Sequence, residues 1–241
     1  MVRTAWFWIV TVPATAFFST VSIVGGLVRA PASVHDWVHR NWGRTELWAA
    51  GVRTTVTGIE HVSHAAPQIF MSNHQSIFDI FAILACVPAS VRFVAKKELG
   101  RIPIFAQAMR AAGHVFIDRQ DRRSATESMR LAGLRMKRDR LSLGLFPEGT
   151  RSPTGRLRAF KKGTFGLAIE SQVPIVPLAL EGGYRVSTRG RIRASQMFVR
   201  LGEPIPTEGL TADDRDSVLA SVHAEIASLL EGARRVPAPS E

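Results

Sequence analysis

Apolar residues recur along this chain in two different ways. From Thr4 to Val28 they form one run of 25 residues without a formal charge, longer than the ~20 residues a helix needs to cross the hydrocarbon core of a bilayer. Pro13 interrupts the run and Gly25-Gly26 loosens its end, so it reads as a membrane-contacting helix that either spans or lodges in one leaflet. A cleaved signal peptide fits poorly, because the run exceeds the ~7–15 apolar residues of such a segment and Pro31 follows Ala30 at once. Ser33 stands where it would cap a second helix, in which Val34, Trp37 and Val38 share one face with His35, His39, Arg40 and Arg44 opposite or alongside. All five tryptophans (Trp6, Trp8, Trp37, Trp42, Trp48) fall in this region, and indoles favour the membrane–water boundary. Residues 1–50 are therefore expected to be N-terminal membrane-anchoring helices. Arg29, Arg40 and Arg44 follow the run and only Arg3 precedes it, which puts the rest of the chain on the cytoplasmic face of the cytoplasmic membrane.

Beyond Val52 the runs become short. QIFM, VRFVA, HVFI, LSLGLF and PIVPLAL read as strands, with helical patterns near 77–87, 103–112, 122–139 and 163–171 between them. This alternation predicts an α/β domain over residues 51–232 with a mostly buried mixed sheet flanked by helices. Thr211-Ala212-Asp213-Asp214 marks the start of a last helix reaching about Leu230, and residues 233–241 read as a solvated tail. Neither an internal repeat nor an interdomain linker interrupts the pattern.

Composition changes this picture in two respects. A single cysteine, Cys86, rules out an intrachain disulfide scaffold and fits a reducing compartment. The formal charge of +11 is concentrated between Arg92 and Lys162, where 18 basic residues face 6 acidic ones, and it asks for an anionic partner: nucleic acid, acidic lipid or a phosphorylated substrate.

Ligands of α/β sheets bind beyond the carboxyl ends of the strands, and two such ends are unusually polar. After QIFM comes Ser72-Asn73-His74-Gln75-Ser76-Ile77-Phe78-Asp79. On one continuous helix His74 and Asp79 would stand roughly 140° apart. With His74 in the strand-to-helix turn and Asp79 in the first helical turn, the carboxylate instead fixes one imidazole nitrogen and leaves the other as a general base. After LSLGLF comes Pro147-Glu148-Gly149-Thr150-Arg151-Ser152, with Arg156, Arg158, Lys161 and Lys162 close behind. Guanidinium forks and backbone N–H groups of this kind suit a phosphate.

These blocks occur in a fixed order with three others: N-H-x-S-x-x-D at 73–79, F-V-A-K-K-E-L at 93–99, G-H-V-F-I-D-R at 113–119, F-P-E-G-T-R-S with F-K-K-G at 146–163, and V-P-I-V-P at 173–177. Over roughly residues 53–206 the chain resembles the glycerophospholipid acyltransferase family, in particular its bacterial 1-acylglycerol-3-phosphate acyltransferases. The resemblance implies a single acyltransferase domain, His74 as catalytic base and Asp79 as its orienting partner. It also implies that Arg119, Glu148, Gly149, Thr150 and Arg151 hold the glycerol phosphate, with Lys96 near the phosphate and Lys161 assisting. His114, inside its block, matches no required family residue and reads as structural.

The implied reaction moves a fatty acyl group from acyl-CoA or an acyl carrier protein to the free hydroxyl, at sn-2, of 1-acylglycerol 3-phosphate, giving phosphatidic acid. Glycerol 3-phosphate or another lysophospholipid or glycolipid is the alternative acceptor. No G-x-S-x-G elbow is present and Cys86 sits in an apolar helical pattern, so direct attack without an acyl-enzyme is expected. No cofactor or metal is expected: His35/His39 and His61/His64 lack an evident third ligand, and nucleotide glycine motifs are absent. The expected partners are the acceptor lipid, the acyl carrier and an anionic membrane surface. Nucleic acid is disfavoured, because few aromatics accompany the basic stretch and the apolar N-terminus would have no purpose there.

Overall fold

A computed structural model describes residues 1–118 and 121–235; Arg119 and the tail beyond 235 lie outside the described residues. The runs that are apolar without alternation become the centre of a sheet: β2 (Ile69–Ser72), β5 (Ser142–Leu145) and β6 (Ile175–Glu181) are buried almost throughout, as strands covered on both faces must be. With β1 (Val52–Thr57), β3 (Val91–Lys96), β4 (Val115–Ile117) and β9 (Ser195–Leu201) they form a seven-stranded sheet in the order β1-β9-β6-β2-β5-β3-β4. Neighbours run parallel except β6 and β9, so the sheet is mixed, as expected. A small hairpin, β7 (Ser187–Thr188) and β8 (Arg191–Ile192), stands apart from it.

The intervening helices are α3 (Phe78–Cys86), α4 (Phe105–Ala111), α5 (Arg122–Asp139), α6 (Gly163–Ser171) and the single turn α7 (Gly183–Val186). The last helix, α8 (Arg215–Arg235), follows a 3₁₀ turn closed by a capping box between Thr211 and Asp214. Thr211 caps at the expected place because its hydroxyl accepts the Asp213 N–H while the Asp214 carboxylate accepts the Thr211 N–H.

The N-terminal run is one helix, α1 (Val2–Leu27), followed by α2 (Ala32–Ala50). The two pack on each other, and α1 is tied to the domain near both of its ends. At one end of α1, the Arg3 guanidinium donates to Ala50 O and Thr4 Oγ1 accepts the Ile192 N–H. Midway, Thr11 and Thr15 hydroxyls donate to the fully buried Glu46 carboxylate, whose pKa burial raises. At the other end Ser22 Oγ donates to Ala108 O and accepts from His35 Nδ1. Phe7, Leu47, Ala49 and Ala50 share a core with Phe78, Phe81 and Val52. At the α2–α3 crossing, a Cβ on Gly43 would stand 2.7 Å from Phe81 O, so only glycine permits that approach.

One expectation about α2 fails. Its cap position is Pro31, and Ser33 lies inside the first turn without a capping bond; proline's fixed φ suits the start of a helix and displaces the cap by two residues. The buried side of α2 carries His35, Val38 and His39. His35 and His39 are enclosed, whereas Trp37 and Trp48 are exposed. The reason is Arg92 on β3, a guanidinium 1% exposed that donates to Asp36 Oδ1 at 2.8 Å, to Val91 O and to Ala112 O. A buried charge demands such partners, and Asp36 on α2 supplies one, drawing its neighbouring histidines inward.

Candidate active site

The turn from β2 into α3 is held rigidly from three sides. Asn73 bridges to β6, its Nδ2 donating to Leu180 O and its Oδ1 accepting the Leu180 N–H, both at 2.8 Å. Ser152 N donates to His74 O at 2.7 Å. Asp79, in the first turn of α3 and fully buried, gathers the turn onto one oxygen: Oδ2 accepts the Gln75 N–H at 2.5 Å and the Ser76 N–H at 2.7 Å, and lies 2.8 Å from His74 Nδ1. These bonds place the His74 proton on Nδ1. Nε2 has no hydrogen-bond partner among the described residues and His74 lines a cavity of about 420 Å³.

Behind the imidazole stands Phe146, stacked at 3.9 Å between centroids, so the ring cannot tip out of the carboxylate plane. Glu148 lies behind it as well: Oε1 accepts the His74 backbone N–H at 3.1 Å, while Oε2 is buried without a hydrogen-bond partner among the described residues. Burial pushes the Glu148 carboxyl up to about 7, with the Asp79 charge adding to the shift and Arg158 opposing it. The structure therefore sets Glu148 behind the base loop rather than along the wall of the cavity.

The cavity lies between α1, α2 and α4 and the carboxyl ends of β3 and β5. Its walls are largely apolar, with Phe18, Trp42, Leu84, Phe105 and Met109 among them, and Lys96, Gly149, Thr150 and Arg151 border it on the same side as His74. Gly149 has φ +71°, and a Cβ there would meet the Lys161 side chain at about 3 Å. Lys161 accordingly sits across Gly149, bordering a second cavity of about 300 Å³ between β5, α5 and α6. Of the residues singled out in the sequence, His74, Lys96, Gly149, Thr150 and Arg151 thus meet around one space, Asp79 and Glu148 support it, Lys161 adjoins it, and Arg119 is outside the described residues.

Three contributors escaped the sequence reading. Phe146 and Asn73 lie inside recognised blocks but carry no signal of ring stacking or of a bridge to a strand a hundred residues on. Gly183 has no local signal at all. A Cβ at this position would stand 2.4 Å from Asp79 Oδ1, so α7 closes over the carboxylate only because residue 183 lacks a side chain. Asp79 Oδ1 is left buried and without a partner among the described residues.

Two buried histidines border the same cavity from the far side. His114 Nδ1 accepts the Phe93 N–H, which puts its proton on Nε2, 3.1 Å from His39 Nε2. Burial depresses both, His114 to about 3. Cys86 closes α3, and burial raises its thiol pKa, consistent with an unreactive cysteine. Among the described residues no group of three potential metal ligands occurs.

A family model described as acyltransferase matches residues 53–181. A 1-acyl-sn-glycerol-3-phosphate acyltransferase of Limnanthes alba is 37% identical over 183 residues, covering 75% of this chain and 64% of that protein, so the chain spans just under two thirds of its relative's length. The human 1-acyl-sn-glycerol-3-phosphate acyltransferase beta is 33% identical over 215 residues, covering 88% of this chain and 76% of that one. The crystal structure of the 1-acyl-sn-glycerophosphate (LPA) acyltransferase PlsC from Thermotoga maritima superposes with a TM-score of 0.84 at 23% identity, over 98% of this chain and 97% of the other. That last likeness is one of fold.

Proposed function

The chain belongs to the acyltransferase family, and from that premise we propose that it acylates 1-acylglycerol 3-phosphate at the sn-2 hydroxyl to give phosphatidic acid. The observation that carries the reading is the His74–Asp79 pair opening into an apolar cavity with Arg151, Thr150 and Lys96 beside it. Apolar walls suit a fatty acyl chain, and cationic and hydroxyl groups suit the phosphate of the acceptor.

In this mechanism His74 Nε2 removes the proton of the acceptor hydroxyl as its oxygen attacks the thioester carbonyl. The tetrahedral intermediate collapses by breaking the carbon–sulfur bond, and imidazolium returns its proton to the departing thiolate. Asp79 stabilises the imidazolium and fixes the ring; Glu148 and Phe146 are positioning residues acting through His74. No protein nucleophile and no cofactor enters the cycle; acyl-CoA or an acyl carrier protein serves as co-substrate.

The same reading puts the enzyme on the cytoplasmic membrane by way of α1. Because α1 is tied to the domain at both ends, it lies in the interface of one leaflet with its exposed face, Trp8, Ile9, Val12 and Phe17 among it, in the lipid.

The test is to incubate purified full-length protein with labelled acyl-CoA or acyl carrier protein and a panel of acceptors. Labelled phosphatidic acid from 1-acylglycerol 3-phosphate is expected. Preferential acylation of glycerol 3-phosphate or of a lysophospholipid with a larger head group would replace the acceptor, and no transfer from any thioester would refute the reaction.

A further inference from the structure

Between β3 and α4 the chain makes an exposed loop that the chemistry does not use. From Lys97 to Ile104 every residue but Gly100 is exposed, and three of them are large aliphatics: Leu99 at 37%, Ile102 at 46% and Ile104 at 50%. Single exposed apolar residues need no account, but three within six positions form a patch. The backbone holds the patch outward at some strain. Ile104 has φ 64° and ψ −58°, and Phe105 N donates back to Pro103 O at 2.6 Å, which is a γ-turn of the rare positive-φ kind. For a β-branched residue that conformation is costly and persists where its surroundings impose it.

The position of the loop suggests what covers it. Its inner side, through Leu99 and Phe105, borders the His74 cavity, and Phe18, Ser19 and Ser22 of α1 border the same cavity. The helix that follows the loop, α4, packs on the second half of α1: Ser22 Oγ donates to Ala108 O, and a Cβ on Gly26 would meet Ala111 Cβ at 2.7 Å. In that half of α1, Val24 and Leu27 are exposed, as is Val28 just beyond it. The charges around the patch are mostly basic. Arg101 is exposed, Lys96 flanks the cavity, Lys97 pairs with Asp118, and Arg110 donates to Gly100 O above the Phe116 ring; Glu98 and Asp118 are the acidic exceptions. An apolar tip within a basic collar, continuous with an exposed apolar helix, fits an anionic lipid surface.

We propose that the loop from Leu99 to Ile104 is a second membrane-inserting element, which enters the same leaflet as α1 and holds the mouth of the His74 cavity at the lipid surface. An acceptor lipid then reaches the base by sliding from the leaflet between two inserted rims, without crossing water. The proposal rests on the membrane part of the function above and not on the acyl-transfer part.

The test uses the full-length chain with Cys86→Ala and one added cysteine, Ile102→Cys, carrying an environment-sensitive dye. Glu208→Cys, exposed at the opposite end of the sheet, is the control. With vesicles of phosphatidylcholine containing one third phosphatidylglycerol, the dye at 102 should be quenched by nitroxide-labelled acyl chains and protected from aqueous iodide, and the dye at 208 should show neither. In parallel, Ile102→Ser with Ile104→Asn should weaken partition to these vesicles roughly tenfold. Asparagine tolerates positive φ and caps helices well, so the fold should hold. Turnover of a water-soluble short-chain acceptor should be unchanged while that of a vesicle-borne acceptor falls by a similar factor. Equal iodide access at 102 with and without vesicles would overturn the proposal, as would protection that grows with protein concentration in the absence of lipid, the mark of a second copy on this face. Absence of turnover in every arm would count against acyl transfer and leave the dye result to judge the loop.

Discussion

Two clusters of histidine, carboxylate and neighbouring polar groups border one cavity, and they differ in a single respect that decides what each can do. In the first, His74 has one nitrogen held by Asp79 and the other open to the cavity. In the second, His114 has one nitrogen occupied by Phe93 N–H and the other by His39, while Asp36 is turned to the buried Arg92 instead of to an imidazole. A saturated, neutral histidine can move no proton. The first cluster leaves the open nitrogen that the proposed reaction uses, and the second fastens α2 to the sheet.

The comparison can be broken most severely at Asp79. Asp79→Asn keeps the shape but loses the charge that holds the tautomer and stabilises imidazolium, so kcat should fall by about 10³-fold or more, measured with saturating donor and acceptor. The corresponding change in the second cluster, Asp36→Asn, should leave the chemistry intact and cost about 3–5 kcal/mol of stability, because it strands a buried guanidinium; denaturant unfolding reads this directly.

Smaller effects sharpen the account at the rim. Arg151→Ala should lower use of the phosphorylated acceptor by roughly ten- to a hundredfold, from the ~1.5–3 kcal/mol of a charge-assisted hydrogen bond, with the donor little affected. Arg151→Lys should restore only part of it, for lack of the planar fork. A loss confined to the donor's KM would move the phosphate elsewhere.

The smallest effect is a pH dependence in which the two clusters oppose each other. With its folded pKa raised to about 7, Glu148 binds more protons folded than unfolded between about pH 4.5 and 7, so its contribution to stability falls as pH rises through that window. Glu148→Gln should therefore match the parent at pH 5 and exceed it at pH 8, by on the order of 2 kcal/mol. His114, depressed to about 3, works the other way. Its contribution is complete above pH 6.5 and is lost as pH falls toward 3. Melting curves across pH 4–8 separate the two.

How much of this was legible in the sequence follows from the same physics. β2, β5 and β6 stand out because burial on both faces makes them apolar throughout, whereas β1, with every residue after Val52 exposed or half-buried, and β9 hide in the alternating VRTTVT and SQMFVRL. His74 and Asp79 are five residues apart and joined by one turn, so their pairing follows from local geometry. Glu148 behind His74, Gly183 against Asp79 and Arg92 beneath Asp36 are contacts between residues 56 to 104 positions apart, and nothing local announces them. The burial of His35 and His39 on α2 is equally silent in the sequence: both look polar until the guanidinium beside them is in place.

The most direct test sets His74→Ala beside His114→Ala, with acyl transfer from a labelled thioester and thermal unfolding measured on the same preparations. The account predicts that His74→Ala loses transfer by three orders of magnitude or more, roughly the contribution of a catalytic base within an oriented pair, and melts like the parent. It predicts that His114→Ala melts lower and, while folded, still turns over. Near-normal transfer by a folded His74→Ala variant, or loss of transfer without loss of stability in His114→Ala, would contradict it.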